Sequence, residues 1–297
     1  MSKNASSGSS LDLNLNQRPE NPQEMLNVSN FYFSGLCAAE MSCSIIKRTN
    51  RNPKGFYYAI DITVTNADKK LLQEVNRIVM NDRGVTTTAV KRGYNLSARG
   101  KDKVHIVLNF LEKYPIIAGD LVRNRILLLK TALEYLEDHR THAFQKEKTK
   151  IMAKLRRKFR EIKTKGIVDH KFDPLSFGKE SNGYFLAGVI DGEGSFGFKS
   201  SGTTKQPFFA IAMKDKKIIE LLNKFIGHGN VRLRKDGVYH LEINHRAVLK
   251  NICEMFLNQY PLRHERQRNR LRALQQILND HTPRFSEISE FREYDMA

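Results

Sequence analysis

The chain has 297 residues, enough for about two folded units, and its 40% hydrophobic content supports a buried core and excludes wholesale disorder. Lys and Arg number 50 against 32 Asp and Glu, a net charge of +18 at pH 7, which favours a polyanionic partner, nucleic acid first, over a cationic or neutral one. Cys37, Cys43 and Cys253 fall in no CxxC or Cys/His spacing, so neither a disulfide framework nor a structural zinc is supported, and a reducing compartment is expected. No apolar run approaches the roughly 18 residues that span a bilayer, and residues 1–28 lack the apolar centre of a secretory signal. A protein that is neither secreted nor membrane-embedded is expected.

Residues 1–28 are rich in Ser, Asn, Gln and Pro with scattered Leu, a composition that reads as a flexible arm. From there the hydrophobic pattern becomes regular and recurs. FYFSGLCAAEMSCSI (31–45) aligns with YFLAGVIDGEGSFGF (184–198), placing Gly35 over Gly188, Glu40 over Glu193 and Ser42 over Ser195. Asp68-Lys69-Lys70 recurs as Asp215-Lys216-Lys217, and Tyr114-Pro115 as Tyr260-Pro261. Three blocks in one order mark an internal duplication.

Each copy reads as an apolar helix (31–40; 183–193), a hairpin (42–65; 195–213) and an amphipathic helix (68–80; 215–226). A second hairpin (85–98; 229–244) turns at Lys91-Arg92-Gly93 and Lys235-Asp236-Gly237. Two closing helices follow, broken at Tyr-Pro, where proline ends the preceding helix. The expected fold is α+β, two pseudo-symmetric α-β-β-α-β-β-α-α repeats at 29–137 and 183–280. A basic linker (138–182) joins them, and 281–297 reads as an acidic tail. Within the linker, 146–171 is dense in Lys and Arg; it reads either as a solvated helix or as a strap on a phosphate backbone.

The helix around FLAGVIDGEG is apolar nearly all round, with Ala187, Gly188 and Gly192 on one side; Ser34, Gly35 and Ala39 take the matching places in the first copy. Small residues let two backbones approach closely. Pairing the equivalent helices about a pseudo-twofold axis brings their C-terminal residues, Glu40 and Glu193, side by side. Two poorly solvated carboxylates repel unless a cation compensates, and Mg²⁺ is held by one or two carboxylates plus phosphate oxygens. The competing reading is that the two acids cap helices or pair with nearby Lys or Arg.

These residues resemble the LAGLIDADG homing endonucleases in their single-chain, two-repeat form. Leu186-Ala187-Gly188-Val189-Ile190-Asp191-Gly192-Glu193-Gly194 matches the motif almost throughout; Phe33–Met41 is degenerate, with Ala38 in place of the first acid and Met41 in place of the closing glycine. The resemblance implies a saddle of two four-stranded antiparallel sheets over duplex DNA. It implies Glu40 and Glu193 as metal-binding acids with Mg²⁺, and Asp191 as structural. Asn66 and Lys214, at the ends of the second strands, would organise the attacking water. Beyond the Tyr-Pro corner, the cation position falls on Arg266 in the second copy and on Asp120 in the first. A glycine at position 41 would ease the turn into the first strand.

Alternate strand residues in a major groove point at base edges, so Arg232 and Arg234 are expected to share a face. Lys199, Lys205, Lys91 and Arg92 are candidate phosphate or base contacts at ribbon tips. The function implied is a monomeric, intron-encoded endonuclease that cleaves both strands of a long DNA site. The alternative is a maturase that binds group I intron RNA on the same fold. Open reading frames of this type imply a mitochondrion, a chloroplast or a bacterial cytoplasm.

Overall fold

The computed structural model describes residues 27–50, 55–87, 93–138, 142–201 and 204–279. Most of the expected N-terminal arm, all of the acidic tail, and the turn residues Lys91 and Arg92 lie outside the described residues. The first repeat runs α1 (Phe31–Glu40), β1 (Met41–Asn50), β2 (Gly55–Asn66), α2 (Lys69–Val79), β3 (Val85–Thr87), β4 (Tyr94–Arg99), α3 (Lys101–Lys113) and α4 (Asp120–Glu137). After α5 (His142–Lys165), the second repeat runs α6 (Lys179–Glu193), β5 (Gly194–Ser201), β6 (Thr204–Met213), α7 (Lys216–Ile226), β7 (Asn230–Leu233), β8 (Tyr239–Ile243), α8 (Arg246–Glu254), a π turn at Met255–Gln259, and α9 (Glu265–Asn279).

The duplication is visible in the topology. Two four-stranded antiparallel sheets have the orders β1-β2-β4-β3 and β5-β6-β8-β7, and helices cover one face of each. Period-two alternation decides which face. Ile60, Ile62 and Val64 of β2 and Phe209 and Ile211 of β6 are buried, as are Leu96 and Leu241 on the strands beside them. Their neighbours Ala59, Thr63 and Thr65, and Ala210 and Ala212, therefore look outward. The helices α2 and α7 lay down Leu71, Leu72, Val75 and Val79, and Ile218, Ile219 and Leu222, at three-to-four spacing.

The axis of the molecule is the crossing of α1 with α6. A Cβ on Gly188 would lie 1.9 Å from the carbonyl oxygen of Tyr32, and one on Gly35 1.8 Å from that of Phe185. Backbone touches backbone there, which only glycine permits. One turn on, Gly192 meets the Ala39 methyl. Around this contact the cores of both repeats form one continuous apolar cluster.

The linker departs from the solvated-helix reading. It contains a 24-residue helix, α5, that is not solvated all round. Met152, Leu155, Phe159 and Ile162 are buried in the first repeat's core, and their i, i+3, i+7, i+10 spacing forms one stripe. Lys146, Lys150, Lys154, Arg157 and Arg160 are exposed and fall on the opposite side. No helix among the described residues is long and apolar enough to cross a membrane.

Candidate metal centre and nucleic-acid interface

Because α1 and α6 cross through glycine, their last residues meet. A Cβ on Gly192 would lie 3.1 Å from Cγ of Glu40 and 3.5 Å from its Oε1, and Glu193 is the next residue along the chain. Burial, and then the charge of Glu193, push the Glu40 carboxyl up from 4.5 to about 8; burial also raises Glu193. Two carboxylates held together against their own repulsion fit a hard divalent cation. Mg²⁺ needs only one or two such groups, completing its shell with water and phosphate oxygens. No cluster of three or more His, Cys, Asp or Glu suited to a metal occurs among the described residues, so the fit rests on this pair.

Just before Glu193, Asp191 is buried at the end of α6. One of its oxygens accepts from the Tyr32 hydroxyl at 2.5 Å and from the backbone amides of Arg263 and His264 at 2.6 and 3.0 Å. Asp191 thus ties α6 to α1 and to the chain entering α9; burial still pushes it up to about 6. In the first repeat, Ala38 has no acceptor to offer.

The closing-glycine position behaves differently from expectation. Met41 has φ −81° and ψ 130°, and Gly194 has φ −73° and ψ 150°. Both are ordinary extended backbone, so methionine at 41 carries no turn strain. What holds Gly194 small is space: a Cβ there would lie 2.6 Å from the Ile190 carbonyl oxygen.

The flanking polar groups also need realignment. Strand register pairs Met41 with Val64 and Gly194 with Ile211, which makes Asn66 equivalent to Met213 and Ala67 equivalent to Lys214. Asn66 is buried and its Oδ1 accepts from the Asp68 amide at 2.8 Å, so its role is to close a turn. Lys214 is exposed and shares a cleft of 260 Å³ with Glu193, Arg125, Leu121 and Asp215.

Equivalent caps realign the closing helices in the same way. Asp215 Oδ1 accepts from the amide of Asp120, and Asp68 Oδ2 from that of Glu265. Asp120 therefore matches Glu265, and Arg266 matches Leu121. Arg266 lines a separate cleft of 500 Å³ with Ala67, Asp68, Tyr94 and His264. The cation that reaches the Glu193 cleft from the last helix is Arg125 of the opposite repeat. Sequence reasoning missed it because repeats were matched to one another rather than crossed; its signal is a charge five residues into α4.

On the outward face of the second sheet, Arg232 lies on β7 and Lys199 on β5. Arg234 stands one residue beyond β7, pairs with Asp236 at 3.0 Å, and donates its amide to the Val238 carbonyl at 2.8 Å, which continues the β7–β8 register and keeps it on the face of Arg232. The backbone of Lys205 lies in β6 opposite Ser200; its side chain is outside the described residues.

Residues 186–277 match the model of the family described as LAGLIDADG endonuclease. No curated protein matches the chain by sequence. Among solved structures, the chain is similar to the LAGLIDADG homing endonuclease I-GzeII in complex with its DNA target, at 16% identity and a TM-score of 0.72, covering 89% of this chain and 96% of that one. I-SmaMI bound to uncleaved DNA in the presence of calcium ions gives 18% identity and a TM-score of 0.72 over 90% of this chain and 97% of that one. The meganuclease I-AabMI bound to uncleaved DNA gives 14% identity, a TM-score of 0.68, and coverage of 90% and 98%. The second repeat thus carries the sequence of the LAGLIDADG endonuclease family, and the whole chain has the two-repeat, single-chain fold of the LAGLIDADG homing endonucleases.

Proposed function

We propose that the protein is a site-specific endonuclease that cleaves both strands of a long DNA duplex with Mg²⁺, acting as a monomer. The observation that carries this reading is the pairing of Glu40 with Glu193 at the end of a glycine-mediated helix crossing. Nothing in helix packing requires an acid at either place; hydrophobic or small residues would pack there without the burial penalty that both carboxyls carry.

Glu40 and Glu193 would hold the divalent cation, which when bound screens charge on the scissile phosphates and acidifies a coordinated water. Lys214 and Arg125 flank Glu193, where a cation opposes negative charge developing on phosphate oxygens. The two outward sheet faces, on either side of this axis, would hold the duplex through alternate strand residues. Three calcium-, target- or uncleaved-DNA complexes of the same fold support duplex DNA as the ligand.

The test is cleavage of a randomised plasmid library in Mg²⁺. Wild type is expected to linearise a defined subset, while Glu40→Gln and Glu193→Gln bind that subset without cutting it. Undiminished cutting by Glu193→Gln would contradict the assignment.

A second reading, a group I intron RNA maturase, is favoured by the row of exposed cations on α5. Phosphate contacts need those cations and neither glutamate. Replacing Lys150, Lys154 and Arg157 with Gln separates the two: loss of intron RNA binding with DNA cleavage intact supports this reading, and unchanged RNA binding removes it.

A further inference from the structure

The outward sheet faces carry acids where a surface for DNA should have none. Glu242 is the last residue but one of β8, on the same face as Ala210, His240 and Arg232. Its carboxylate accepts from Arg232 Nη2 at 3.3 Å, from Asn244 Nδ2 at 3.1 Å and from Lys199 Nζ. On the same edge of the guanidinium, Arg232 Nε donates to His240 Nδ1 at 3.2 Å. Arg232 is therefore gripped along one edge, yet its side chain remains 65% exposed.

The grip selects which hydrogens stay available. A guanidinium has five N–H donors in a planar fork. His240 takes the Nε donor and Glu242 one Nη2 donor, which leaves both Nη1 hydrogens and the second on Nη2. Those at the tip form a parallel pair, the arrangement that meets O6 and N7 of guanine end-on. Ungripped, an exposed arginine samples many rotamers and donates equally well to phosphate. An arginine N–H can only donate, so His240 Nδ1 is the acceptor here; burial and the neighbouring Arg232 charge lower the His240 pKa, in the direction that favours this neutral ring.

The first sheet carries a simpler acid–arginine pair at a different place, with one carboxylate on Nη2 and no imidazole on Nε among the described residues. Asp61 of β2 is buried on the outward face and accepts from Arg48 Nη2 of β1 at 3.3 Å, with the arginine side chain 40% exposed. Counting from the glutamate that ends each crossing helix, Asp61 pairs with Ser44 and its counterpart in the second repeat is Phe208, which pairs with Gly197. The counterpart of Glu242 is Ser97, through Thr63 and Ala210.

We infer that Glu242 with His240, and Asp61, are specificity-determining positioning residues that aim Arg232 and Arg48 at guanines in non-equivalent places of the two half-sites, so that the target is not a palindrome. This rests on the duplex-DNA reading above. The carboxylates act through the arginines and do not themselves touch a base. Their negative charge also makes the surrounding face a poor seat for phosphate, which keeps each arginine on the base edge.

The experiment is binding selection from a randomised duplex library in Ca²⁺ with the full chain and its Glu242→Gln, His240→Phe, Arg232→Ala and Asp61→Asn variants. Wild type is expected to prefer guanine by roughly tenfold to a hundredfold at one position in each half, the two positions not being mirror images about the centre. Arg232→Ala, Glu242→Gln and His240→Phe are expected to lose the same position, to about threefold or less, with the other positions unchanged. Asp61→Asn loses the position in the other half. Intact preference in folded Glu242→Gln and His240→Phe overturns the inference. So does loss at a base pair different from that of Arg232→Ala, which would make Glu242 a direct reader of cytosine. Uniformly tighter binding with no positional change would reduce the acids to charge spacing and equally overturns it. A wild type that enriches no sequence refutes the duplex-DNA reading instead.

Discussion

Asp68 and Asp215 are pseudo-equivalent carboxylates, and each caps the last helix of the opposite repeat. Asp215 accepts from the amides of Asp120, Leu121 and Val122 at 2.7, 2.9 and 3.3 Å. Asp68 accepts from Glu265 at 2.9 Å while its other oxygen holds Leu71 of its own helix at 3.1 Å. Orphan helix amides and a favourable macrodipole end are thereby satisfied across the pseudo-twofold axis. The two repeats are locked by polar reciprocity as well as by apolar contact.

Removing such a cap should weaken the whole molecule rather than one repeat. Asp215→Ala is expected to lose about 1–3 kcal/mol in urea unfolding, with both repeats still melting together. A change below about 0.5 kcal/mol would mean that water replaces the carboxylate at no penalty.

The crossing of α1 and α6 is less forgiving. Gly188→Ala sets a methyl 1.9 Å from the Tyr32 carbonyl oxygen, so the helices must separate. A loss of about 3 kcal/mol or more is expected, at or beyond the upper range of overpacking in cores. Ala39→Gly, which only removes a methyl beside Gly192, should lose under about 1.5 kcal/mol and serves as the control. Equal melting temperatures for the two variants would show that the crossing is looser than described.

Much of this crossing was legible in the sequence, and the reasons are specific. Gly35, Gly188, Ser34 and Ala39 share one side of two helices that have no other reason to be small, and the repeated blocks fix the order of the sheets. The misreadings have equally local causes. Asn66 was set against Lys214 because both end a second strand, yet the register runs one residue off. In α5 Lys and Arg are ten of 24 residues, a density that hid the stripe Met152, Leu155, Phe159 and Ile162. Arg125 reaches a cleft belonging to the other repeat, and no alignment of one repeat on the other can show a contact that crosses between them.

The two clefts predict unequal strand cleavage. Lys214 and Arg125 line the Glu193 side, while Ala67 stands where Lys214 would be on the other. Lys214→Met is expected to slow nicking of one strand by about tenfold to a hundredfold relative to the other. Strand-resolved cleavage of an end-labelled target measures this; equal slowing of both strands would show that Lys214 does not act at one centre.

Glu40 gives stability a pH dependence of definite sign. Its carboxyl is pushed from 4.5 to about 8 by burial and by Glu193. Between those values the folded protein keeps a proton that the unfolded chain has released, so stability contributed at this site falls as pH rises through the window. Glu40→Gln has no proton to lose. In EDTA its stability relative to wild type should rise by about 1–3 kcal/mol between pH 5 and pH 9, after allowance for partial solvent screening. A relative stability that is flat or falls over that range contradicts the burial assigned to Glu40.

The central claim is that Glu40 and Glu193, from opposite ends of the duplication, share one divalent cation against DNA. The direct measurement is the anomalous scattering of Mn²⁺ in crystals of the protein with its selected duplex. The account predicts a peak within about 2.0–2.3 Å of an oxygen of each carboxylate and beside a phosphate of the target. Peaks placed elsewhere, with Glu40 and Glu193 turned to lysine or arginine partners, would contradict it.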